Sequence, residues 1–68
     1  MLKKRLGEQI AILRKEAELT QEALAEATDY SVEFISLVER GINAPSIDGC
    51  ERIAKALEVH PKELFNFD

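Results

Sequence analysis

The side chains best suited to contacting a ligand lie within one short stretch, residues 31–41, whose sequence is SVEFISLVERG. Its apolar residues Phe34, Ile35 and Val38 recur at the spacing of a helix that buries one side. The opposite side presents a carboxylate, a hydroxyl and two apolar groups, which belong to Val32, Glu33, Ser36 and Leu37. Such groups form hydrogen bonds and apolar contacts, so this side is predicted to be a binding surface rather than a reaction centre.

Residue types suited to catalysis or metal binding are scarce in this sequence. The chain has one cysteine, Cys50, and one histidine, His60, which are too few for a metal site with ordinary ligand numbers. No set of nucleophile, base and orienting group is visible, and no glycine-rich phosphate loop occurs. Cys50 falls on the apolar stripe of a predicted helix and is expected to be a small buried hydrophobe. We therefore expect no enzyme, no metal and no cofactor.

Charge is distributed unevenly along the chain, whose formal net charge is −4. Residues 1–15 carry five basic residues against the single acid Glu8. Residues 16–51 carry nine acidic residues against the single cation Arg40. The predicted binding surface therefore lies in the acidic part of the chain, which argues against nonspecific affinity for nucleic acid.

Size and composition place the chain among small globular proteins. Its 68 residues suffice for one domain with a small core. No apolar run approaches the roughly 20 residues that cross a bilayer, and the first residues do not resemble a signal peptide. One cysteine cannot form an internal disulfide, which fits a reducing compartment. We expect a cytoplasmic protein that does not contact membranes.

Hydrophobic periodicity and capping residues predict an all-α fold of five helices. Thr20, Ser31 and Ser46 are expected to cap helix starts, Gly41 to end the third helix and Pro61 to begin the last one. Apolar positions on the fourth helix are Ile47, Cys50, Ile53, Ala54 and Leu57. The predicted helices span about residues 2–17, 20–28, 31–40, 46–57 and 61–67.

The segments LTQEALAE, ISLVERG followed by PSI, and IAKALEV together resemble the Xre-type helix-turn-helix family of phage Cro/repressor-like and bacterial regulators. The resemblance covers about residues 6–65. It implies a single helix-turn-helix domain over residues 1–68, with the five-helix fold of a lambda-repressor-like DNA-binding domain. In that fold the third helix enters the major groove of DNA and the second crosses the phosphate backbone. The chain departs from the family pattern at Asp29 and Glu58, where relatives usually carry glycine.

The resemblance assigns the side of the third helix that carries Val32, Glu33, Ser36 and Leu37 to the bases. Glu33 is able to accept a hydrogen bond from cytosine N4, and Val32 to pack on a thymine methyl. The alternative for Glu33 is a solvated surface charge. Val32 and Leu37 alternatively pack near Tyr30 or form a protein interface.

Matching positions in the family suggest that Gln21, Arg40 and Asn43 contact the DNA backbone. Each has a simpler alternative: Gln21 as a favourable first residue of a helix, Arg40 as the partner of a nearby acid, and Asn43 as an ordinary loop residue. Lys3, Lys4 and Arg5 are expected to be solvated, with a contact to the DNA backbone as the less favoured alternative.

Two structural roles also follow from the resemblance. Arg14 and Glu39 are expected to form an ion pair between the first helix and the end of the third. Leu64, Phe65 and Phe67 form an apolar surface at the end of the chain and are the expected dimer interface.

We therefore expect a cytoplasmic, homodimeric, sequence-specific regulator of transcription, such as a repressor, whose partner is double-stranded DNA. We also expect no domain that binds a small-molecule effector, because 68 residues leave no room for one beside the helix-turn-helix domain. The alternative is a protein-interaction module, such as an antitoxin or adaptor, that uses residues 32–37 to contact a protein.

Overall fold

The computed structural model describes residues 1–67, so Asp68, the last residue of the predicted domain, lies outside the described residues. Within that range the chain forms four α-helices and one 3-10 helix, and no strand. The elements are α1 (Leu2–Glu16), α2 (Gln21–Thr28), α3 (Val32–Glu39), α4 (Ile47–Leu57) and the 3-10 helix (Pro61–Phe65). No helix among these residues is long and apolar enough to cross a membrane.

The prediction of a fifth α-helix over 61–67 is wrong. The chain instead makes a 3-10 helix that stops at Phe65. Its end follows from the backbone of Asn66, which has φ −87° and ψ 74°. This conformation lets the Phe67 N–H donate to the Phe65 carbonyl at 3.0 Å, which is the bond of an inverse γ-turn. Helical bonding cannot continue past such a turn.

Each of the three predicted caps accepts a backbone hydrogen bond three residues ahead. The hydroxyls of Thr20, Ser31 and Ser46 accept from the N–H groups of Ala23, Phe34 and Gly49, each at 3.0 Å. A side-chain oxygen at this position satisfies one N–H that the helix itself leaves unpaired. The start of the predicted DNA-contacting helix is thereby fixed at Val32.

Both departures from the family glycines adopt the left-handed conformation. Asp29 has φ 65° and ends α2, and Glu58 has φ 59° and ends α4. The Cβ of either residue crowds the following carbonyl, but aspartate tolerates this conformation better than glutamate because its short polar side chain is able to hydrogen-bond to the local backbone. Glu18, in the turn before α2, also has a positive φ of 62°, which the sequence did not indicate.

The core lies between α3 packed on α1 and α2, α4 packed on α2, and the 3-10 helix packed on α1 and α4. Its fully buried side chains are Ile10, Leu24, Thr28, Ile35, Val38, Ile53 and Leu64. Ile47, which was expected on the buried stripe of α4, is 81% exposed. It is the first residue after the Ser46 cap, and the inward turn of the helix begins only with Gly49 and Cys50.

Two close approaches set how α1 crosses the end of α3. Gly7 lies against the backbone carbonyls of Val38 and Glu39, so closely that a Cβ at this position would overlap the Val38 oxygen. Gly41, with φ 79°, lies against Lys4: a Cβ there would be 2.8 Å from the Lys4 Cα. The first two turns of α1 therefore rest directly on the carboxyl end of α3.

A nearly buried ion pair connects the same helices. The Arg14 Nε donates to Glu39 Oε2 at 2.6 Å and its Nη2 to Oε1 at 3.1 Å, with side-chain exposures of 11% and 7%. Arg14 Nη1 also donates to the carbonyl of Leu19 at 2.8 Å. Gln21 Nε2 donates to Glu39 Oε1 at 2.9 Å. One carboxylate at the end of α3 thus holds α1, the turn after it and the start of α2.

Replacing Arg14 by methionine is expected to destabilise the fold by about 3–5 kcal/mol, because it leaves a nearly buried Glu39 carboxylate without its cation. The Arg14→Met/Glu39→Leu double variant should recover part of this loss, since no lone buried charge remains. Urea denaturation of the two variants measures both effects. A loss below about 1 kcal/mol for Arg14→Met would contradict this account.

Replacing Glu58 by glycine is expected to stabilise the protein by up to about 1 kcal/mol, because it removes the strain of the left-handed backbone conformation at Glu58. The matched control is Glu51→Gly, which removes an exposed carboxylate from the interior of the same helix and should cost about 1 kcal/mol. Thermal unfolding of both variants decides the sign of each effect. Two variants with the same sign would show that backbone strain at Glu58 is not the determinant.

Candidate nucleic-acid interface

The second and third helices form a helix-turn-helix. Only three residues, 29–31, join Thr28 at the end of α2 to Val32 at the start of α3. Leu24 and Thr28 of α2 and Ile35 and Val38 of α3 are buried between the helices and the rest of the core. A turn of this length between two packed helices is the arrangement that projects the second helix from the protein surface.

The predicted base-facing residues share the outward side of α3. Val32 and Glu33 lie in its first turn and are exposed, with Val32 at 38%. Ser36 and Leu37, one turn further along, are half-buried. No cation among residues 1–67 lies within 4.0 Å of the Glu33 carboxylate. The most accessible hydrogen-bonding group of the helix is therefore a free carboxylate at its first turn.

The predicted backbone contacts flank this helix. Arg40 is exposed at the C-cap of α3, and Asn43 is half-buried in the loop that follows. That loop folds back on the helix: the N–H groups of Ile42 and Asn43 donate to the Leu37 carbonyl at 3.0 and 3.3 Å. The loop backbone is thus held close to the end of the helix.

Gln21 lies at the first position of α2, but its side chain is already partly engaged. One Nε2–H group of the amide donates to Glu39, as described above. The amide carries a second N–H group, and the first backbone N–H groups of α2 have no partner within the helix. The structure therefore orients Gln21 through Glu39, a contact that sequence reasoning missed.

A stack of side chains that sequence reasoning also missed supports the start of α3. The Tyr30 ring lies 4.6 Å from that of Phe34, and the Arg52 guanidinium lies 4.7 Å from the Tyr30 centroid. Gly49 lies against the hydroxyl end of the Tyr30 side chain, where a Cβ would overlap the hydroxyl. The signal available in the sequence was Gly49 itself. A glycine inside a helix costs about 1 kcal/mol, so its presence in α4 indicates that close packing excludes a larger side chain. Through this stack α4 positions the turn that leads into α3.

The residues predicted to form a dimer interface are placed differently from one another. Leu64 is fully buried in the core of its own chain, so its assignment to a dimer interface is wrong. Phe67 is half-buried, with the Arg5 guanidinium 5.0 Å from its ring centroid. Phe65 is 42% exposed. Only Phe65 presents a largely accessible ring to a second chain.

Cys50 is a buried free thiol, and burial raises its pKa above the ordinary value. The raised pKa keeps the group protonated and poorly nucleophilic near neutral pH. Among residues 1–67 no three His, Cys, Asp or Glu side chains are placed to hold a metal ion.

Comparison with known proteins identifies this arrangement. A family model described as helix-turn-helix, HTH_3, matches residues 10–64. Control protein C.BamHI of Bacillus amyloliquefaciens is 39% identical over 62 residues, which cover 90% of this chain and 76% of that protein.

Solved structures of regulators share the fold. The restriction-modification controller protein C.AhdI from Aeromonas hydrophila has a TM-score of 0.88 at 32% identity, covering 91% of this chain and 94% of that one. The clp gene regulator ClgR from C. glutamicum has a TM-score of 0.91 at 26% identity, covering 96% and 84%. With its α2–α3 pair, its capped third helix and these relatives, the chain belongs to the HTH_3 helix-turn-helix family.

Proposed function

We propose that the protein is a transcription regulator that binds a specific sequence of double-stranded DNA as a homodimer, with α3 in the major groove. The observation that carries this proposal is the α2–α3 helix-turn-helix, in a chain whose relatives are named as control proteins and transcriptional regulators. In this motif the second helix lies in the groove with its first residues at the base edges.

The dimensions and exposure of α3 support this role. An α-helix with its side chains is about 10–12 Å across, which matches the roughly 12 Å width of the major groove, and the outward side of α3 is accessible. Val32 and Glu33 lie in the first turn, which is the part of the helix nearest the bases in this motif. Glu33 accepts from cytosine N4, and Val32 packs on a thymine methyl, so their chemistry favours sequence selection over electrostatic attraction.

Contacts to phosphates come from the two ends of the motif. The free N–H groups at the start of α2, with the second amide N–H of Gln21, suit a phosphate oxygen. Arg40 and Asn43 suit phosphates beyond the other end of α3. The few contacts available to one chain favour binding as a pair, with half-sites about 34 Å apart.

Phe65 is the residue that the structure offers for pairing, because it is an exposed aromatic ring at the end of the fold. Phe67 lies two residues further along the chain and is half-buried, with the Arg5 guanidinium 5.0 Å from its ring centroid. Two copies related by a two-fold axis would cover each Phe65 ring with the same surface of the partner. A regulator of transcription acts in the compartment that contains the DNA. The proposed location is therefore the cytoplasm.

Two relatives support a more specific context. C.BamHI is named as a control protein, and C.AhdI as a controller of a restriction-modification system. We therefore assign this protein the control of a restriction-modification operon ahead of a phage repressor role. The natural test duplex is the region upstream of the gene for this protein.

Selection of bound duplexes from a random pool tests the function directly, with sedimentation of the protein alone and with the selected duplex. We expect an enriched sequence with two-fold symmetry and a complex containing two protein chains. Binding should weaken linearly with the logarithm of salt concentration, by about 0.9 per neutralised phosphate. Failure to retain any duplex at low salt would favour the protein-interaction alternative.

Replacing Arg40 by alanine is expected to weaken binding to specific and random duplexes by similar factors and to lower the salt slope by about 0.9 per chain, because one phosphate contact is lost. Lys55→Ala is the matched control, since it removes an exposed cation from α4. Fluorescence anisotropy across a salt series measures both quantities. Unchanged affinity and slope for Arg40→Ala would refute its contact with the backbone.

Replacing Glu33 by glutamine is expected to change the preferred base at one position of each half-site, from cytosine towards adenine, because an amide both donates and accepts. Glu51→Gln removes the same charge from an exposed position on α4 and should leave the selected sequence unchanged. Selection from the random pool with both variants supplies the comparison. The same preferred sequence for Glu33→Gln and the unmodified protein would place Glu33 away from the bases.

A further inference from the structure

We propose that Lys3 and Lys4, at the start of α1, form with Arg40 a basic patch that binds backbone phosphates of the duplex beyond the carboxyl end of α3. This inference rests on the proposed function and adds a second element, α1, to the surface that contacts DNA. From the sequence alone these lysines are expected to be solvated, because the sequence does not give their position relative to α3.

The geometry that brings these residues together is the contact between Lys4 and Gly41. The Gly41 Cα is so close to α1 that a Cβ would be 2.8 Å from the Lys4 Cα, 3.1 Å from its Cβ and 3.2 Å from its Cγ. Gly41 directly follows Arg40, so the base of the Lys4 side chain lies beside the residue next to Arg40. Lys4 and Arg40, which are 36 positions apart in sequence, thus lie at the same end of α3.

The packing beneath this contact is rigid. One turn along α1, Gly7 lies against the carbonyls of Val38 and Glu39, and a Cβ there would be 3.0 Å from the Glu39 oxygen. Arg14 holds the far end of α1 to Glu39 through two hydrogen bonds. The position of Lys4 beside Gly41 is therefore fixed by three successive contacts between α1 and the end of α3.

No carboxylate offsets the charge of the patch by direct contact. Lys3, Lys4 and Arg40 are all exposed, and no acid among residues 1–67 lies within 4.0 Å of their charged groups. The first turn of α1 contains no acidic residue. Glu39, the acid adjoining Arg40, is engaged by Arg14 and Gln21.

Two neighbouring charged residues, Arg5 and Glu8, are not part of the patch. The Arg5 guanidinium is engaged by the Phe67 ring, whose centroid lies 5.0 Å away. Glu8, one turn beyond Lys4, is exposed and is the one acid among the first 15 residues. It lowers the positive potential of the patch without pairing with it.

Charge complementarity identifies a phosphate backbone as the partner. The chain has a net charge of −4, and Arg40 is the only cation in residues 16–51. A phosphate bound by Arg40 alone would therefore be repelled by the many acids of this segment. Packing α1 against α3 places Lys4 at the site where Arg40 is expected to meet a phosphate, and Lys3 directly precedes Lys4 in the first turn of α1. If all three cations bind phosphates, the DNA releases about two more counterions per chain than it does when Arg40 binds alone.

A rival explanation is that these lysines serve the helix dipole. Cations near the carboxyl end of α3 stabilise that helix, whereas the same cations destabilise the start of α1. This role would alter the stability of the protein and leave its affinity for DNA and the salt slope unchanged. The two explanations are therefore separated by measuring DNA binding and unfolding on the same variants.

The test compares Lys3→Gln/Lys4→Gln with Lys55→Gln and with the unmodified protein, using fluorescence anisotropy with specific and random duplexes across a salt series. We expect the double variant to lower the salt slope by about 1.8 per chain and to weaken both duplexes by similar factors. Lys3→Arg/Lys4→Arg should retain the slope, and Lys55→Gln should leave it unchanged. Glu8→Gln should tighten binding, because it removes the acid next to the patch.

Four outcomes distinguish the hypotheses. An unmodified protein that retains no duplex at low salt overturns the proposed function and this inference together. Binding by the unmodified protein with the same slope for Lys3→Gln/Lys4→Gln overturns this inference alone. A lowered melting temperature without a change in slope assigns the lysines to helix stability and also overturns it. Loss of slope in the double variant with retention in the arginine variant supports it.

Discussion

The carboxylate of Glu39 is the point on which the arrangement of the first three helices depends. It lies at the end of α3 and accepts hydrogen bonds from Arg14 on α1 and Gln21 on α2, in a nearly buried position. A buried charge is tolerated only when its hydrogen-bonding capacity is filled, so each of these partners constrains the others. The orientation of α3 relative to the remainder of the protein is therefore set by polar geometry as well as by the apolar core.

An acidic protein that binds an acidic polymer must limit its attraction to a few positions. The outward side of α3 carries a carboxylate and apolar groups, while the cations that we propose to meet phosphates lie at its carboxyl end. This separation weakens binding to random DNA, because nonspecific affinity comes almost entirely from phosphate contacts. In the proposed complex, sequence discrimination comes from the hydrogen bond that Glu33 accepts from cytosine N4. Low net attraction and selective contact are consequences of the same distribution of charge.

Much of the fold could be predicted because helix starts are encoded locally. The hydroxyls of Ser31 and Ser46 were identified from the sequence and accept the expected bonds. The chain end could not be predicted, because three apolar residues after Pro61 suit an α-helix or a 3-10 helix equally, and tertiary packing of Leu64 decides between them. The Arg14–Glu39 pair was implied by the family resemblance and is present, but contacts that depend on backbone approach, such as Lys4 with Gly41, were inaccessible. They depend on how closely two backbones approach, which periodicity does not encode.

The packing of Gly49 against Tyr30 has a consequence for the divergence of this protein. The tyrosine hydroxyl occupies the space that a methyl group at position 49 would need, and Pro45 limits the other side, 3.1 Å from where that methyl would lie. A larger residue at position 49 is therefore accessible only after the ring at position 30 has become smaller. The order of these two substitutions is constrained, so descendants that carry a larger residue at position 49 should also carry a smaller one at position 30.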